Sequence, residues 1–587
     1  ENLADFIMEF RQVLDERGMT YGMFGHVDAG VLHVRPAIDM KDPEQEALIR
    51  PITDQVVELV KKYKGLLWGE HGKGVRAEYA PEFFGELYPQ LQRLKAAFDP
   101  RNQLNPGKIA TPAPELELLK IDGVTTRGQQ DRKIPVQVWE GYSEGMHCNG
   151  NGQCHNWNPN DAMCPSWKGT RLRTHTPKGR ASLVREWLKQ LSERDVNAIE
   201  ESEATRQQSF LLNLPTRIKN TIGKKRGEYD FSHEVHESMM GCLACKSCTG
   251  QCPIKVDVPS FRSKFLELYY GRYLRPLKDY FIGGLEFMVP TLSKVPWLYN
   301  GLMKPRFMQA LMAKVAGMVD SPLLTGVSLD NELQTRKIRY ASAQNIAALT
   351  QEQRDKAVIL VQDAFTSYFE TQLVLDSLDL LTKLGFTPLV APFKPNGKPL
   401  HVHGFLGPFA KAAVKNAEHL NDLARSGIPL VGLEPSMTLA YRSEYQKVLG
   451  KEAPEVALLQ EWLAEQKAQL ETRADLLQPG DYSLLAHCTE KTNAAGSIKD
   501  WQAVFGALGQ TLTVIDTGCC GMAGTYGHEA SNVETSKRIY GLSWAEVLAN
   551  PEHEGKLTAT GYSCRSQVKR IDDVAIPHPV QVLLAQM

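Results

Sequence analysis

Apolar residues recur at Leu3, Phe6, Ile7, Phe10, Val13 and Leu14, one stripe of a 3.6-residue period, so the chain enters on an amphipathic helix. Helical and strand patterns alternate to about residue 112, where Thr111-Pro112-Ala113-Pro114 interrupts them. From about 128 to 275 the periodicity breaks into loops rich in Gly, Asn and Pro that hold seven cysteines. Helical patterns with scattered prolines follow over 276–350. Beyond Lys356, short apolar runs at 357–361, 388–391, 429–432, 482–486, 512–516 and 557–561 alternate with helical stretches, which predicts a parallel sheet.

Those last runs repeat. Asp363 follows one strand and Cys488 follows a similar strand 125 residues later. Pro395-Asn396-Gly397 is matched by Cys519-Cys520-Gly521 at an offset of 124, and Ser436-Met437 by Ser563-Cys564 at 127. The near-constant offset predicts a duplicated unit in which only the second copy keeps its cysteines.

The 587 residues suffice for about three or four domains, each burying its own core. With 67 basic and 68 acidic residues spread along the chain, nothing marks a nucleic-acid face. The eleven cysteines are grouped like ligands, which points to a reducing compartment, the cytoplasm, with peripheral attachment at the inner membrane left open. No apolar run is long enough for a membrane-spanning helix. The nearest, 280–319, is broken by Pro290, Pro296, Pro305 and several lysines, and reads as core or partner-facing helix rather than membrane anchor. Glu1 opens directly on the helical pattern, with no start methionine or signal peptide, so an upstream portion is expected.

The most specific chemistry lies at Cys242-x2-Cys245-x2-Cys248-x3-Cys252-Pro253. Three thiolates at this spacing wrap one corner-sharing centre, and the fourth, next to proline, points to another, as in two-cluster ferredoxins. The other group, Cys148-x5-Cys154-x9-Cys164-Pro165, has Asn151 where a middle cysteine would stand. Cross-ligation makes Cys242, Cys245, Cys248 and Cys164 one complete [4Fe–4S] site. Cys148, Cys154 and Cys252 form a second set one ligand short. It could recruit His147, His155 or hydroxide, hold three irons, or stay empty. The basic stretch over 169–186 reads as a solvated or cluster-shielding face. Cys488, Cys519, Cys520 and Cys564, at strand-to-helix turns, converge on a site that soft-ligand chemistry leaves open between iron–sulfur and zinc.

Near the start, His26 and His33 are separated by Asp28-Ala29-Gly30, a turn that lets the two imidazoles meet across a hairpin. With Glu70 they make a set suited to a divalent metal, zinc being the expected one, with an open position for substrate oxygens. His71 beside it is placed to act as base.

The Gly25-His26-x-Asp28-x-Gly30-x-x-His33 stretch, Glu70-His71-Gly72, and Phe98-Asp99-Pro100 with Asn105-Pro106-Gly107-Lys108 resemble the C-terminal domain of FAD-linked 2-hydroxy acid oxidases. That resemblance implies that His26, His33 and Glu70 hold a metal that binds the substrate's carboxylate and hydroxyl. It further implies that His71 takes the hydroxyl proton and that Asn105 lines the flavin. Lys73 stands where that family is usually apolar, and the chain is expected to be a fragment without the flavin-binding domain that normally lies N-terminal to this segment. The late cysteines resemble the Cys-Cys-Gly domain of heterodisulfide-reductase-like proteins.

The expected fold is multidomain, α+β and α/β: an α+β FAD-linked oxidase cap domain at 1–112, an α-helical ferredoxin-type module at 128–275, a helical connector at 276–350 and a duplicated α/β Cys-Cys-Gly domain at 351–587. This order resembles the bacterial FAD- and iron–sulfur-containing D-2-hydroxyglutarate or D-lactate dehydrogenase family. The resemblance implies oxidation of a small D-2-hydroxy acid, with FAD and a [4Fe–4S] cluster as cofactors. It leaves a quinone or a carrier protein as electron acceptor, and room for a homo-oligomer. The alternative is an iron–sulfur electron-transfer subunit of a glycolate-oxidase or heterodisulfide-reductase-like complex, which would lack the His26, His33, Glu70 and His71 set.

Overall fold

The computed structural model describes residues 2–72, 74–208 and 210–587, so Glu1 and Lys73 lie outside the described residues. The chain divides into two compact units, one of residues 1–136 with 189–195, the other of 137–188 with 196–587.

In the first unit, strands β1 (Tyr21–His26) and β2 (Val31–Pro36) form an antiparallel hairpin. The turn between them uses Gly30 at φ +62°, which glycine adopts without strain. Gly25 is needed for a different reason: a Cβ there would meet the Val31 carbonyl oxygen at 2.1 Å. The helices Leu3–Asp15 and Ile49–Lys62 close over the hairpin. Phe10, Leu14 and Ile52 are buried there against Tyr21, Met23 and Val34. The apolar stripe that opens the sequence is therefore the seal of this small core.

The second unit holds two all-parallel sheets. β3 (Ala357–Val361), β4 (Thr387–Val390), β5 (Leu430–Gly432) and β6 (Ala457–Leu458) lie in the order β4-β3-β5-β6. β7 (Asp481–Leu485), β8 (Thr511–Val514) and β9 (Leu557–Ala559) lie in the order β8-β7-β9. Both sheets put their second strand, then first, then third side by side, as a duplication requires. β3 is buried along its whole length, which is why it reads as an unbroken apolar run. The two sheets share one core that includes Val358, Leu360, Val431, Leu484, Trp501 and Phe505. The six anticipated strands are present, and β6, only two residues long, had no pattern to show.

The cysteine loops of the second unit are held by helices. Val258–Arg272 is buried on nearly every face, with Phe261, Phe265 and Leu266 in its core. The basic stretch at 169–186 divides between the solvated and the shielding reading. Arg171 and Arg173 are exposed, whereas Arg180 and Arg185 are buried and Arg180 lines the cavity of Cys164, Cys242, Cys245 and Cys248. Arg180 donates to the Ser238 carbonyl and the Ser166 hydroxyl, both at 2.9 Å, and to the His175 carbonyl. Its charge is spent on orphan backbone oxygens beneath the cysteine loops, not on solvent.

Candidate functional site

The hairpin register sets the first site. Phe24 pairs with His33 and His26 with Val31, so His26 and His33 are diagonal neighbours on one face. Their rings lie 5.3 Å apart, and Phe24 stacks on His33 at 5.1 Å. The loop after Ile49–Lys62 delivers Glu70 and His71 to the same face. His26 Nε2 is 3.5 Å and His71 Nε2 is 3.6 Å from Glu70 Oε1, and the His33 and His71 rings are 4.5 Å apart. Burial, then the neighbouring His71 and His26, holds His33 below the ordinary imidazole range. His26, Glu70 and His71 keep about half their side-chain surface, leaving one side open. The donor set matches a divalent metal in type. The His26–Glu70 separation is close to the edge of a tetrahedron with bonds of about 2.1 Å. Among the described residues, however, no three His, Cys, Asp or Glu side chains are closed around a single centre.

Asn105 lies exposed at φ +51° in the loop after the helix Tyr88–Phe98. Asp99 orders that loop, accepting from the Gln103 and Leu104 amides at 2.8 Å and from Lys95 at 2.6 Å. The Lys95 bond, followed by that of Gln103, pulls the Asp99 carboxyl down to about 2.

In the second unit, Cys164, Cys242, Cys245 and Cys248 line one small cavity of about 20 Å³, together with Pro165, Arg180, Lys246 and Val258. These are the four residues that cross-ligation groups together. Three non-glycine residues in their loops adopt left-handed backbone, Cys164 at φ +42°, Ala244 at +54° and Lys246 at +58°. Such strain persists where surrounding structure over-determines it, typically at a ligand clamp. The Ala244 amide points at Cys242 Sγ from 3.5 Å. Burial pushes the Cys164 thiol up to about 11 and raises Cys248 further still. Thiols so placed are inert until a soft metal ionises them. Cys148 neighbours Cys154, whose thiol is raised by burial, while Cys252 is buried at the end of the helix Ser247–Gln251.

The Cys-Cys-Gly thiols sit where β7, β8 and β9 run out, and all four are buried. Their close packing, with Cys245 beside Cys488, holds Cys488 and Cys520 low and Cys245, Cys519 and Cys564 high, while the Cys245 thiol donates to the Ser247 hydroxyl at 3.6 Å. The Gly521 amide points at Cys519 Sγ from 3.3 Å. Cys245, from the Cys242–Cys252 run, is packed against the buried cluster that holds Cys488 and Cys519. His487 is buried beside them; burial opposes its charge, but Cys488, Glu434, Cys520 and Glu490 together raise it. A larger cavity, of about 110 Å³, opens between Cys242, Cys245, His487 and Cys488 and an apolar wall of Ile282, Leu285, Phe365 and Met437.

Sequence reasoning missed the charges that anchor the cysteine loop. Lys246 is 4% exposed, with its Nζ 3.4 Å from Glu444 and 3.8 Å from Asp257. Lys398 meets Glu444 at 2.7 Å and Lys447 meets Asp257 at 2.8 Å. The one signal available was a lysine lodged inside a ligand loop.

The first copy fills the equivalent space with acids. Glu286 accepts from the Asn396 amide at 3.3 Å and the Gly397 amide at 2.6 Å, the positions matching Cys520-Gly521. Asp363, matching Cys488, caps its helix by accepting from Phe365 and Thr366. Burial pushes Glu286 up to about 7, against the two amides and with Asp363 facing it, and pushes Asp363 up to about 6. The buried tyrosines Tyr441 and Tyr445 also lie beside Glu286. The folded chain therefore binds these protons more tightly than the unfolded chain, and the stability gained below about pH 4 is lost as pH rises to about 7. Glu286→Gln is expected to be more stable than wild type by up to about 3 kcal/mol near pH 8, with the difference vanishing by about pH 4. Urea unfolding across that range measures it, and a difference that does not vary with pH would contradict the assignment.

Residues 1–109 match the family described as FAD linked oxidases, C-terminal domain. The segment that carries the imidazole–carboxylate face is thus similar to an FAD-linked oxidase domain, and the cysteines lie beyond the matched residues. Over the whole chain, D-2-hydroxyglutarate dehydrogenase of Pseudomonas putida is 56% identical and that of Escherichia coli K12 is 49% identical. Over its whole length the chain is thus similar to D-2-hydroxyglutarate dehydrogenases. It spans little more than half of those relatives, 57% and 58% of their lengths. One subunit of the anaerobic glycerol-3-phosphate dehydrogenase of E. coli K12 is 27% identical over 250 residues, 41% of this chain and 61% of that protein. No solved structure matches.

Proposed function

We propose that this chain supplies the substrate-activating and electron-carrying parts of a FAD-dependent D-2-hydroxy acid dehydrogenase, with D-2-hydroxyglutarate preferred over D-lactate. The observation that carries the reading is the gathering of His26, His33, Glu70 and His71 on one open face. His26, His33 and Glu70 are the donors for a divalent metal, which would supply a Lewis acid for the substrate's carboxylate and C2 hydroxyl. His71 takes the hydroxyl proton on a ring nitrogen, and Glu70 steadies the imidazolium that results. FAD, when bound, supplies the two-electron acceptor for the C2 hydrogen, and the loop ordered by Asp99 brings Asn105 to line it.

Cys164, Cys242, Cys245 and Cys248 are the ligand set for a [4Fe–4S] cluster, which supplies one-electron steps. The contact between Cys245 and Cys488 supports onward passage to the Cys-Cys-Gly site, as a relay or as the point where a quinone or carrier protein docks. The relatives' names favour the five-carbon acid. The full-length protein, assayed with a dye acceptor, should oxidise D-2-hydroxyglutarate fastest, D-lactate more slowly and glycolate least. A preference for glycolate, or no oxidation of any of the three, would overturn the reading.

A further inference from the structure

From Tyr280 to Val319 the chain carries one carboxylate, Glu286, and it is buried against the Asn396 and Gly397 amides. Over the same forty residues Lys294, Lys304, Arg306 and Lys314 are exposed. The apolar residues of this connector face outward too, so of the core and partner-facing positions expected from sequence the core one does not hold for them. Trp297 and Phe307 are each 72% exposed and Val315 is 68% exposed, and Phe287, Leu302 and Leu311 are about half exposed.

The helices have a clear inner side. In Pro296–Met303, Asn300 exchanges hydrogen bonds with the Leu324 backbone at 2.8 and 2.9 Å, and the Tyr299 hydroxyl donates to the Pro322 carbonyl at 3.4 Å. Trp297, Leu298 and Leu302 lie round the other face. In Arg306–Val315, Phe307, Leu311 and Val315 recur every fourth residue and form one stripe turned to solvent. An apolar stripe of this kind normally faces a core, and exposed apolar area on this scale marks an interaction surface.

We infer that helices Leu285–Leu292, Pro296–Met303 and Arg306–Val315 dock this protein in the plane of an anionic phospholipid surface. Charge complementarity selects that occupant: four exposed cations, no exposed carboxylate, and a tryptophan among apolar anchors is the composition of an interfacial segment. No helix among the described residues is long and apolar enough to cross a membrane, so the segment lies on the bilayer rather than through it. The same connector lines the large cavity beside Cys245 and Cys488 through Ile282 and Leu285. Docking would bring a lipid-soluble acceptor to that cavity, a consequence that rests on the electron-transfer reading; the docking itself does not.

The test is sedimentation of the full-length protein with phosphatidylglycerol-containing vesicles and with pure phosphatidylcholine vesicles, at low and raised salt. Binding to the anionic vesicles that weakens with salt is expected, with at least a tenfold loss of partition in the Phe307→Asp/Leu311→Asp variant. Brominated lipid should quench a fluorescence component that Trp297→Phe removes, which reads the contact without relying on the aspartate variant's folding. The inference is overturned by wild-type protein that stays in the supernatant at low salt, or by binding that the double variant retains. Equal binding to neutral vesicles would overturn it too, as would a stoichiometric protein complex that covers Trp297 and excludes lipid.

Discussion

Cys242→Ser in the full-length protein is expected to lower iron and acid-labile sulfide by about four each per chain while leaving substrate oxidation through the flavin to a small dye intact. Cys242 is the ligand to choose because it is only half-buried, whereas Cys164 and Cys248 are deep in the fold, so its loss perturbs packing least. It still lines the cavity shared with Cys164, Cys245 and Cys248, and a ligand set reduced to three holds a cubane poorly. The separation of effects is the informative part. Reduction of an acceptor that draws electrons from beyond the flavin should be lost together with the iron. Unchanged iron and sulfide in the variant would remove Cys242 from the ligand set. Iron analysis, visible spectra and the two acceptor assays measure this directly.

His71→Ala is expected to lower kcat for the hydroxy acid by about 10³-fold, roughly 4 kcal/mol of barrier, with flavin and iron contents unchanged. Geometry singles this residue out. His71 shares the open face with Glu70 at 3.6 Å and with His33 at a ring distance of 4.5 Å, yet it is surplus to a two-histidine, one-carboxylate metal set. Loss of a general base depresses kcat. Loss of Glu70 or His26 should instead weaken metal binding, and substrate affinity with it. Full turnover by His71→Ala would remove it from the base role. A fall rescued by added divalent metal would make it a ligand instead. Steady-state kinetics with and without metal separate these outcomes.

Much of this arrangement could be read from sequence where the signal is local. The Asp28-Ala29-Gly30 turn announced the hairpin, and pleat geometry then put His26 and His33 on one face. Buried parallel strands such as β3 read as continuous apolar runs, so the duplication was visible before any fold was known. Cys242, Cys245 and Cys248 stay together in space because the loop that carries them is short.

What stayed hidden depends on partners distant in sequence. Lys246 gave no sign that Glu444, nearly two hundred residues on, would neutralise it. Arg180 looked like surface charge because the carbonyls it satisfies belong to other segments. Nor could sequence foresee that Glu286 would fill the space left by the lost cysteines of the first copy, since the helix carrying it lies outside the repeat. Pro296 and Pro305 stand at helix starts, as breaks should, but Pro290 lies inside the helix Leu285–Leu292, and which face of Pro296–Met303 turned outward depended on Asn300 and Tyr299 finding backbone partners at 322–324.

The central claim is that a hydroxy-acid site and a cysteine-held electron carrier work on one chain. Its most direct test is to purify the full-length protein without oxygen, record its visible spectrum, and add D-2-hydroxyglutarate alone. The expected result is at least one [4Fe–4S] cluster by iron and sulfide analysis, with an absorption that the substrate itself bleaches. A colourless protein carrying only zinc, or a cluster that dithionite reduces and the substrate does not, would contradict it.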